Sequence, residues 1–295
     1  MKPRKLILSR KGFDSKAGGC PSPIFTRDGT MVSLPIPVRQ GQTRYRDLHH
    51  NGENMGDLVR DLSDGAYGRL AYANLNPDVN RAVRRERDER WRGLSGQLTP
   101  SASGHLLNQA VGIGDVFLFF GLFQWVEKAR GKRGKYRFIS DEPAFHVLWG
   151  WLQVGGAHVR DDLGDDDFPW AQGHPHMHEA PNPYNLLYFA SRDLDLGRGR
   201  IADGCGVFGY YDDRLRLTRS GGTATQWRLP RWFHPGDNRT PLSNMGNNKW
   251  SLCDDGVYVQ RTGYGQEFVL DLDEYPEGRR WVASLCRRFG SEQPA

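Results

Sequence analysis

The most apolar stretch of the chain, residues 115–126, constrains the fold more than any other segment. Its sequence is DVFLFFGLFQWV, and its length and phenylalanine content favour β-structure. We therefore expect either a central pair of strands or one long bent strand here, with Gly121 at a bulge or a close contact. A second β-rich run, FHVLWGWLQVGGAHV, follows at residues 145–159.

Shorter runs of strand-forming residues recur along the chain, separated by turn signals. They cover residues 5–9, 31–37, 136–140, 184–190, 207–211, 214–218, 226–229 and 268–271. This pattern is typical of a curved antiparallel sheet or a barrel. Helix signals are fewer, and they predict helices at 57–62, 77–91, 103–112 and within 275–289. The sequence thus predicts one α+β domain over residues 1–295, mostly antiparallel β with a few peripheral helices.

Composition narrows the class of protein. The net charge of +5 and the pI of about 9.0 favour anionic partners such as nucleic acid or nucleotides. The four cysteines are widely spaced and form no CxxC pair, which argues against a zinc knuckle or a disulfide framework. The N-terminal apolar run is too short for a signal peptide, and no segment approaches the roughly 20 apolar residues of a membrane span. We expect a cytoplasmic protein with reduced thiols.

Three of the nine histidines cluster within residues 171–188, AQGHPHMHEAPNPYNLLY. On an extended backbone His174, His176 and His178 project to one face, because alternate side chains share a face. Neutral imidazole is the commonest protein ligand for metals, and Glu179 adds a carboxylate. The pattern predicts a divalent metal site in which His174, His176 and Glu179 also serve as catalytic groups.

Several alternatives to this metal site remain open. A third ligand could come from the cluster itself, or from His146, His158 or His234. The cupin pattern also uses His-x-His but fails here, since its next acidic position is occupied by Asn182 or Pro183. The competing interpretation is a polar loop whose histidines are solvated or bonded to the backbone.

A polar loop follows the first predicted strand directly. Ser9, Arg10, Lys11 and Asp14 lie just beyond the end of KLILS, and adjacent arginine and lysine side chains can bind phosphate or carboxylate. We assign Arg10 as a catalytic candidate and the other three as substrate contacts. The alternative is a structured surface loop. The spacing GxxxxGK[ST] is absent, so this is not a P-loop.

Two basic segments are candidates for contact with nucleic acid. Residues 128–137, KARGKRGKYR, carry six positive charges, including Lys132 and Arg133, and are predicted to form a hairpin tip. Residues 81–92 are rich in arginine. In both segments the alternative is a solvated surface. Two loop side chains complete the candidate substrate contacts: Trp232 and Gln266.

Several blocks, in the same order, resemble the family called nucleotide modification associated domain 3. They are SRKGFDSKAGGCPSPIF, GDVFLFFGLF, FHVLWGWLQVG, HPHMHEAPNPYNLLYFA, LRLT with WRLPRWF, and GQEFV, and they run from Leu6 to about Phe289. The resemblance implies association with systems of phages and mobile elements that modify nucleic-acid bases, and therefore partner enzymes of such a system. It also implies a histidine-and-acid block near residues 74–78. Here Asn74 and Asn76 occupy that block, which leaves Asp78 as the candidate metal ligand.

Three functions are consistent with these features. The first is a metal-dependent enzyme acting on a nucleotide or a nucleic-acid base, with Fe(II) favoured over Zn(II) or Mn(II). A 2-oxoglutarate oxygenase is one version, but its His-x-Asp motif is absent. The second is a non-catalytic nucleic-acid-binding protein, and the third is an inactive partner in a modification system. Metal content and the salt dependence of nucleic-acid binding discriminate between them.

Overall fold

The computed structural model describes residues 2–14, 16–129, 135–164, 166–245, 249–261 and 265–290. Within them lie three α-helices, α1 (Met55–Leu62), α2 (Pro100–Asn108) and α3 (Glu277–Phe289). The strands of the same residues are β1 (Lys5–Arg10), β2 (Ser22–Phe25), β3 (Ile36–Val38), β4 (His49–His50), β5 (Glu53–Asn54), β6 (Tyr72–Asn74), β7 (Leu94–Gln97), β8 (Val116–Lys128), β9 (Tyr136–Phe138), β10 (Phe145–Val159), β11 (Leu186–Ala190), β12 (Asp193–Asp195), β13 (Arg200–Asp203), β14 (Cys205–Val207), β15 (Gln226–Leu229), β16 (Trp250–Cys253), β17 (Gly256–Gln260) and β18 (Glu267–Asp271).

A nine-stranded sheet organises the molecule, and the two long strands β8 and β10 form its centre. The main strand order is β18-β1-β8-β10-β11-β7, while β2 and β9 pair with β8 and β14 pairs with β10. Only β1 and β2 run parallel to β8; the other pairings in this sheet are antiparallel. The prediction of α+β structure with mainly antiparallel strands is therefore confirmed.

The prediction of a barrel is wrong. In the described parts of the chain the large sheet ends at β18 on one side and β7 on the other, and no sheet closes on itself. The register of β10 shifts between Leu148 and Gly150, and again between Val154 and Gly156, as the strand passes from β8 to β11. These irregularities let one strand pair with different neighbours along its length. One domain over 1–295 stays a prediction.

Of the four predicted helices, two form as predicted, one is shifted along the chain, and one does not form. Helix α1 begins directly after its N-cap Asn54, whose side chain accepts a hydrogen bond from Gly56 N, and α3 coincides with the predicted terminal helix. Helix α2 is capped by Thr99 and begins a few residues earlier than predicted. The helix predicted over 77–91 is wrong: this segment contains only a 3-10 turn, Arg81–Val83.

Burial of β1 and β8 places polar residues deep in the molecule. Leu6, Ile7 and Leu8 are fully buried, and so are Leu118, Phe119 and Phe120 on β8. Most apolar residues of both strands join the largest core cluster, so Ser9 near the end of β1 is also withdrawn from water. None of the described helices is long and apolar enough to cross a membrane.

Candidate functional site

The end of β1 holds the first group of candidate residues. Hydrogen bonds from Arg10 N to Gln266 O and from Lys11 N to Phe120 O, both 2.8 Å, continue the pairing of β1 with its two neighbours. Strand alternation sends Ser9 and Lys11 to one face and Arg10 to the other. Ser9 is fully buried and Lys11 is only 8% exposed. The sequence therefore located a polar strand end correctly, and the structure shows that it is buried.

Arg10 and Asp14 form an ion pair on the other face. The shortest separation between the guanidinium and the carboxylate is 2.6 Å. Asp14 Oδ1 also accepts hydrogen bonds from Lys16 N and Ala17 N, so the carboxylate holds the loop together. These contacts match the alternative of a structured loop, and the catalytic role of Arg10 stays a prediction.

Glu267 on β18 is the side chain that sequence reasoning missed. It lies opposite Ser9 in the strand register and is 1% exposed. Ser9 Oγ donates to Glu267 Oε1 at 2.9 Å, and Gln97 Nε2 donates to the same oxygen. Glu267 Oε2 is buried and has no hydrogen-bond partner among the described residues. A proton on this carboxyl therefore belongs on Oε2, because Oε1 already accepts two hydrogen bonds.

Lys11 is the positive counterpart of Glu267. Its Nζ donates to Gly96 O at 2.9 Å. Burial lowers the pKa of Lys11 to about 8, and the charge of Glu267 opposes that shift. Burial likewise raises the pKa of Glu267 to about 7, against the effects of Lys11, Ser9 and Gln97. The two groups therefore change protonation state near neutral pH, which is the property that general acid–base catalysis needs.

A chain of amide side chains connects His176 to the same strand end. Asn185 Nδ2 donates to His176 O at 2.9 Å, so its Oδ1 is the atom 2.8 Å from His176 Nδ1. His176 Nδ1 must then carry the proton, and Nε2 accepts from Asn76 Nδ2 at 3.0 Å. Asn76 also pairs with both backbone groups of Gly96. Burial lowers the pKa of His176 to about 4, so the ring is neutral at pH 7.

Position 96 requires glycine, because a side chain would not fit there. A Cβ on this residue would approach the Cγ atom of His176 to 2.5 Å, which is closer than packing allows. The imidazole thus rests directly on the β7 backbone, and the carbonyl of the same glycine accepts from both Lys11 and Asn76. The single residue Gly96 therefore links the lysine to the histidine.

His174 is buried beside His176, with ring centroids 5.4 Å apart. Its Nδ1 accepts from His176 N at 3.3 Å, so the proton of the neutral ring is on Nε2. Burial, followed by the nearby His176, Lys11 and two arginines, holds the pKa of His174 well below its usual value. Nε2 is buried and has no partner in the described residues, so it is a free donor inside the protein.

The extended conformation predicted for the histidine cluster is wrong. Residues Pro175–His178 form a 3-10 turn, which advances successive side chains by about 120° instead of 180°. His178 and Glu179 consequently point to solvent, and His178 Nε2 contacts Gln172 O. Two of the three predicted histidines are brought together, while the third and the glutamate are not.

Asp78 is committed to an ion pair. Arg87 donates to both of its carboxylate oxygens, and the Trp91 indole approaches Oδ2 at 3.4 Å. Both charged side chains are at least 90% buried. Within the ranges that the structure describes, no group of three His, Cys, Asp or Glu side chains is arranged to hold a metal ion.

The other predicted residues lie outside this network or outside the described residues. Trp232 stacks on Phe233 at 4.0 Å and packs beside Trp281 of α3, and Gln266 is exposed. Lys132 and Arg133 fall outside the described residues, although β8 and β9 form the predicted hairpin that leads to them. The three other histidines considered as metal ligands also lie outside this network. His146 bonds to Trp227 in the core, His158 packs against Phe189, and His234 accepts a hydrogen bond from Gly236 N.

A cleft of about 250 Å³ adjoins the network. Gly12, Asn76 and Trp149 line it, together with residues 30–35 and 49–51. Asn76 is therefore shared between the cleft and the His176 network. Three buried nitrogens of the lining residues have no partner among the described residues: Trp149 Nε1, His49 Nδ1 and His50 Nε2. Because these nitrogens have no accessible surface, they can bond to a ligand in the cleft only after their side chains move.

Comparison with known proteins gives one match. The model of a family described as nucleotide modification associated domain 3 matches residues 5–271. Searches of curated proteins and of solved structures found no match. The matched range includes the whole network from β1 to Glu267 and the cleft beside it.

Proposed function

Since the chain belongs to the nucleotide modification associated domain 3 family, we propose that it is an enzyme that binds a nucleotide or a nucleic-acid base and modifies it. One observation carries the proposal: Lys11 and Glu267 are buried together, Glu267 Oε2 is unpartnered among the described residues, and Gly96 O links Lys11 to Asn76, which lines the cleft. Burying ionisable groups costs folding free energy, and groups whose pKa is shifted by burial are concentrated at functional sites.

In this proposal the cleft holds the base. The Trp149 side chain contributes an aromatic ring to the lining, and Asn80 offers an amide that can pair with a base edge. The amide of Asn76 is already bonded to Gly96 and His176, so it fixes the wall of the cleft. The volume of about 250 Å³ suits one base rather than a larger cofactor. His50 contributes a neutral ring, because burial lowers its pKa to about 4.

Glu267 and Lys11 supply proton transfer in this proposal. When Glu267 is ionised and Lys11 is protonated, Oε2 accepts a proton from the substrate and Nζ can donate one. Ser9 and Gln97 hold the carboxylate by bonding Oε1, which leaves Oε2 directed to the reaction. Gly96 O fixes the lysine in the same way.

The proposal is tested by comparing wild type with Glu267→Gln. The glutamine preserves the size and both hydrogen-bond acceptor positions on Oε1, yet it cannot exchange a proton. Each protein is expressed in a bacterial host, and its DNA and RNA are digested to nucleosides for mass spectrometry. We expect a nucleoside of altered mass with wild type only. An identical profile for wild type, variant and empty vector contradicts the proposal.

Binding of the base is tested separately with purified protein. Nucleoside monophosphates should change the tryptophan fluorescence of the wild type, and Trp149→Phe should abolish part of that change and weaken binding. Trp281→Phe is the matched control, because this indole packs against Trp232 and Phe233, away from the cleft. Equal responses from the two variants would remove the cleft as the binding site.

A metal-dependent version is the second candidate, favoured by the unpartnered Nε2 of buried His174. The residues fit a metal ion only in part. His174 and His176 can supply two nitrogens after the bonds from His176 N and Asn76 Nδ2 are broken. We keep Fe(II) as the favoured ion on ligand chemistry. Metal analysis of anaerobically purified wild type and His176→Ala tests it; no metal in the wild type refutes this version.

A further inference from the structure

A second cavity, of about 720 Å³, lies between α3 and the loop before β13. None of the described lining residues is acidic, and six are cationic: Lys2, Arg198, Arg279, Arg280, Arg287 and Arg288. We call it the arginine groove. We infer that the arginine groove binds the phosphate backbone of a nucleic acid. The inference goes beyond the proposed function, and only its preference for a polymer over a mononucleotide rests on the proposed binding of a base in the cleft.

The charge of the groove is largely free to meet a ligand. Asp273 pairs with Lys2 at 3.8 Å and with Arg279 at 2.7 Å, so these two cations are partly neutralised. Among the described residues Arg198, Arg280 and Arg287 form no ion pair. Phosphate is the anion that matches the planar fork of arginine and can accept two parallel hydrogen bonds from it.

Helix α3 arranges its arginines in a row. Arg280, Ser284 and Arg287 are exposed and follow one another at four and three residues, which places them on one helix face. The opposite face, including Val282 and Leu285, is buried in the core. Arg280 and Arg287 are seven residues apart, or about 10 Å along the axis. That separation is about three steps of 3.4 Å along one strand of a duplex.

The loop that faces the helix is held in place by its own hydrogen bonds. Asp195 Oδ1 accepts from the backbone N–H groups of residues 197, 198 and 199 at 2.8, 3.2 and 3.1 Å. Gly197 adopts φ +90°, and a Cβ there would meet Lys2 Cγ at 3.3 Å. Arg198 is therefore presented from a fixed backbone, which lowers the entropy lost when it binds phosphate.

The position of the groove favours a polymer over a mononucleotide. Arg279 donates to Pro3 O at 2.8 Å, just before β1, whereas Lys11 follows the other end of that strand. The six residues of β1 span about 20 Å. A single nucleotide is shorter than this strand, whereas roughly six nucleotides at 3.4 Å each match its length.

The test measures binding of a fluorescein-labelled DNA duplex of mixed sequence over a range of salt concentrations. Each phosphate contact contributes about −0.9 to the slope of log K against log salt. Arg280→Gln combined with Arg287→Gln should therefore flatten the slope by about 1.8. The affinity difference between wild type and this variant should shrink about tenfold between roughly 50 and 200 mM salt.

Two further variants keep the result interpretable. Arg198→Gln leaves α3 untouched and should flatten the slope by about 0.9, so a folding defect of the helix cannot explain both results. Arg46→Gln with Arg60→Gln removes the same charge from exposed arginines outside the groove and should keep the wild-type slope.

Three outcomes would overturn the inference. They are no duplex binding by wild type, an unchanged slope in both groove variants, and binding of the groove to phosphatidylserine vesicles in place of DNA. Glu267→Gln should bind the duplex as wild type does, which keeps a failure of the catalytic proposal separate from a failure of the groove.

Discussion

The pH dependence of stability in Glu267→Gln tests the buried pair directly. Burial raises the pKa of Glu267 from 4.5 to about 7 in the folded protein. Between these values the folded state keeps its proton while the unfolded state loses it, so stability falls as pH rises. The difference of 2.5 pKa units corresponds to about 3 kcal/mol of lost stability by neutral pH.

Lys11 contributes in the opposite pH direction. Its pKa is lowered from 10.5 to about 8, so the folded state loses stability as pH falls through that window. The two groups together should therefore lower the free energy of unfolding of the wild type most strongly near pH 7 to 8. Glutamine at 267 cannot ionise, so the variant should gain on wild type by about 2 kcal/mol between roughly pH 5 and pH 7.5.

The measurement is urea unfolding at those two pH values, followed by tryptophan fluorescence. Groups that do not interact with Glu267 titrate alike in both proteins and cancel in the difference. The pKa of Lys11 falls further in the variant, because the charge of Glu267 no longer raises it. Ser9→Ala is the control: it removes the hydrogen bond to Oε1 but keeps the carboxyl, so the decline toward neutral pH should persist. A difference between wild type and Glu267→Gln that is the same at both pH values would refute the burial argument.

Two further predictions concern the elements that hold the site. Asp78→Asn leaves the buried guanidinium of Arg87 without its charge partner and should cost about 3–5 kcal/mol of stability in chemical unfolding. Asp88→Asn breaks an exposed pair and should lower stability much less, because water screens that pair; equal losses from the two variants would contradict the first prediction. Gly96→Ala should displace the ring of His176 and cost about 1–3 kcal/mol, together with weaker nucleotide binding; unaltered binding and stability would show that the ring is not packed on this glycine.

Local sequence was sufficient for the two long strands and for two helices. The strands predicted over 31–37, 207–211 and 214–218 are wrong: β3 begins only at Ile36, β14 ends at Val207, and Asp213–Leu215 is a 3-10 turn. The apolar runs at 115–126 and 145–159 became β8 and β10, because long apolar β-formers are buried wherever they pair. The signals of α1 and α3 are also local, since amphipathic spacing determines which helix face is buried. The polar end of β1 at Ser9 and Lys11 could also be predicted locally, because these residues directly follow an apolar run.

The helix predicted over 77–91 failed because long-range contacts outweighed a weak local preference. Asp78 pairs in a β-bridge with Leu94 and in an ion pair with Arg87, and both arrangements are incompatible with a continuous helix. The histidine cluster failed in a related way. Its three residues alternate in sequence, but a 3-10 turn at Pro175 separates His178 from the other two.

The sequence by itself determined the two long central strands and the polar end of β1, and it singled out His174, His176 and His178 as a cluster. Only the tertiary structure decided that Glu267 is the hydrogen-bond partner of Ser9 at this strand end. This glutamate lies 258 residues from Ser9 along the chain, and no local pattern marks it. Its role depends on β18 pairing with β1 and on β7 bringing Gln97 and Gly96 to the same point. Burial by these strands, which shifts both pKa values toward neutrality, is a property of the assembled core and not of any one segment.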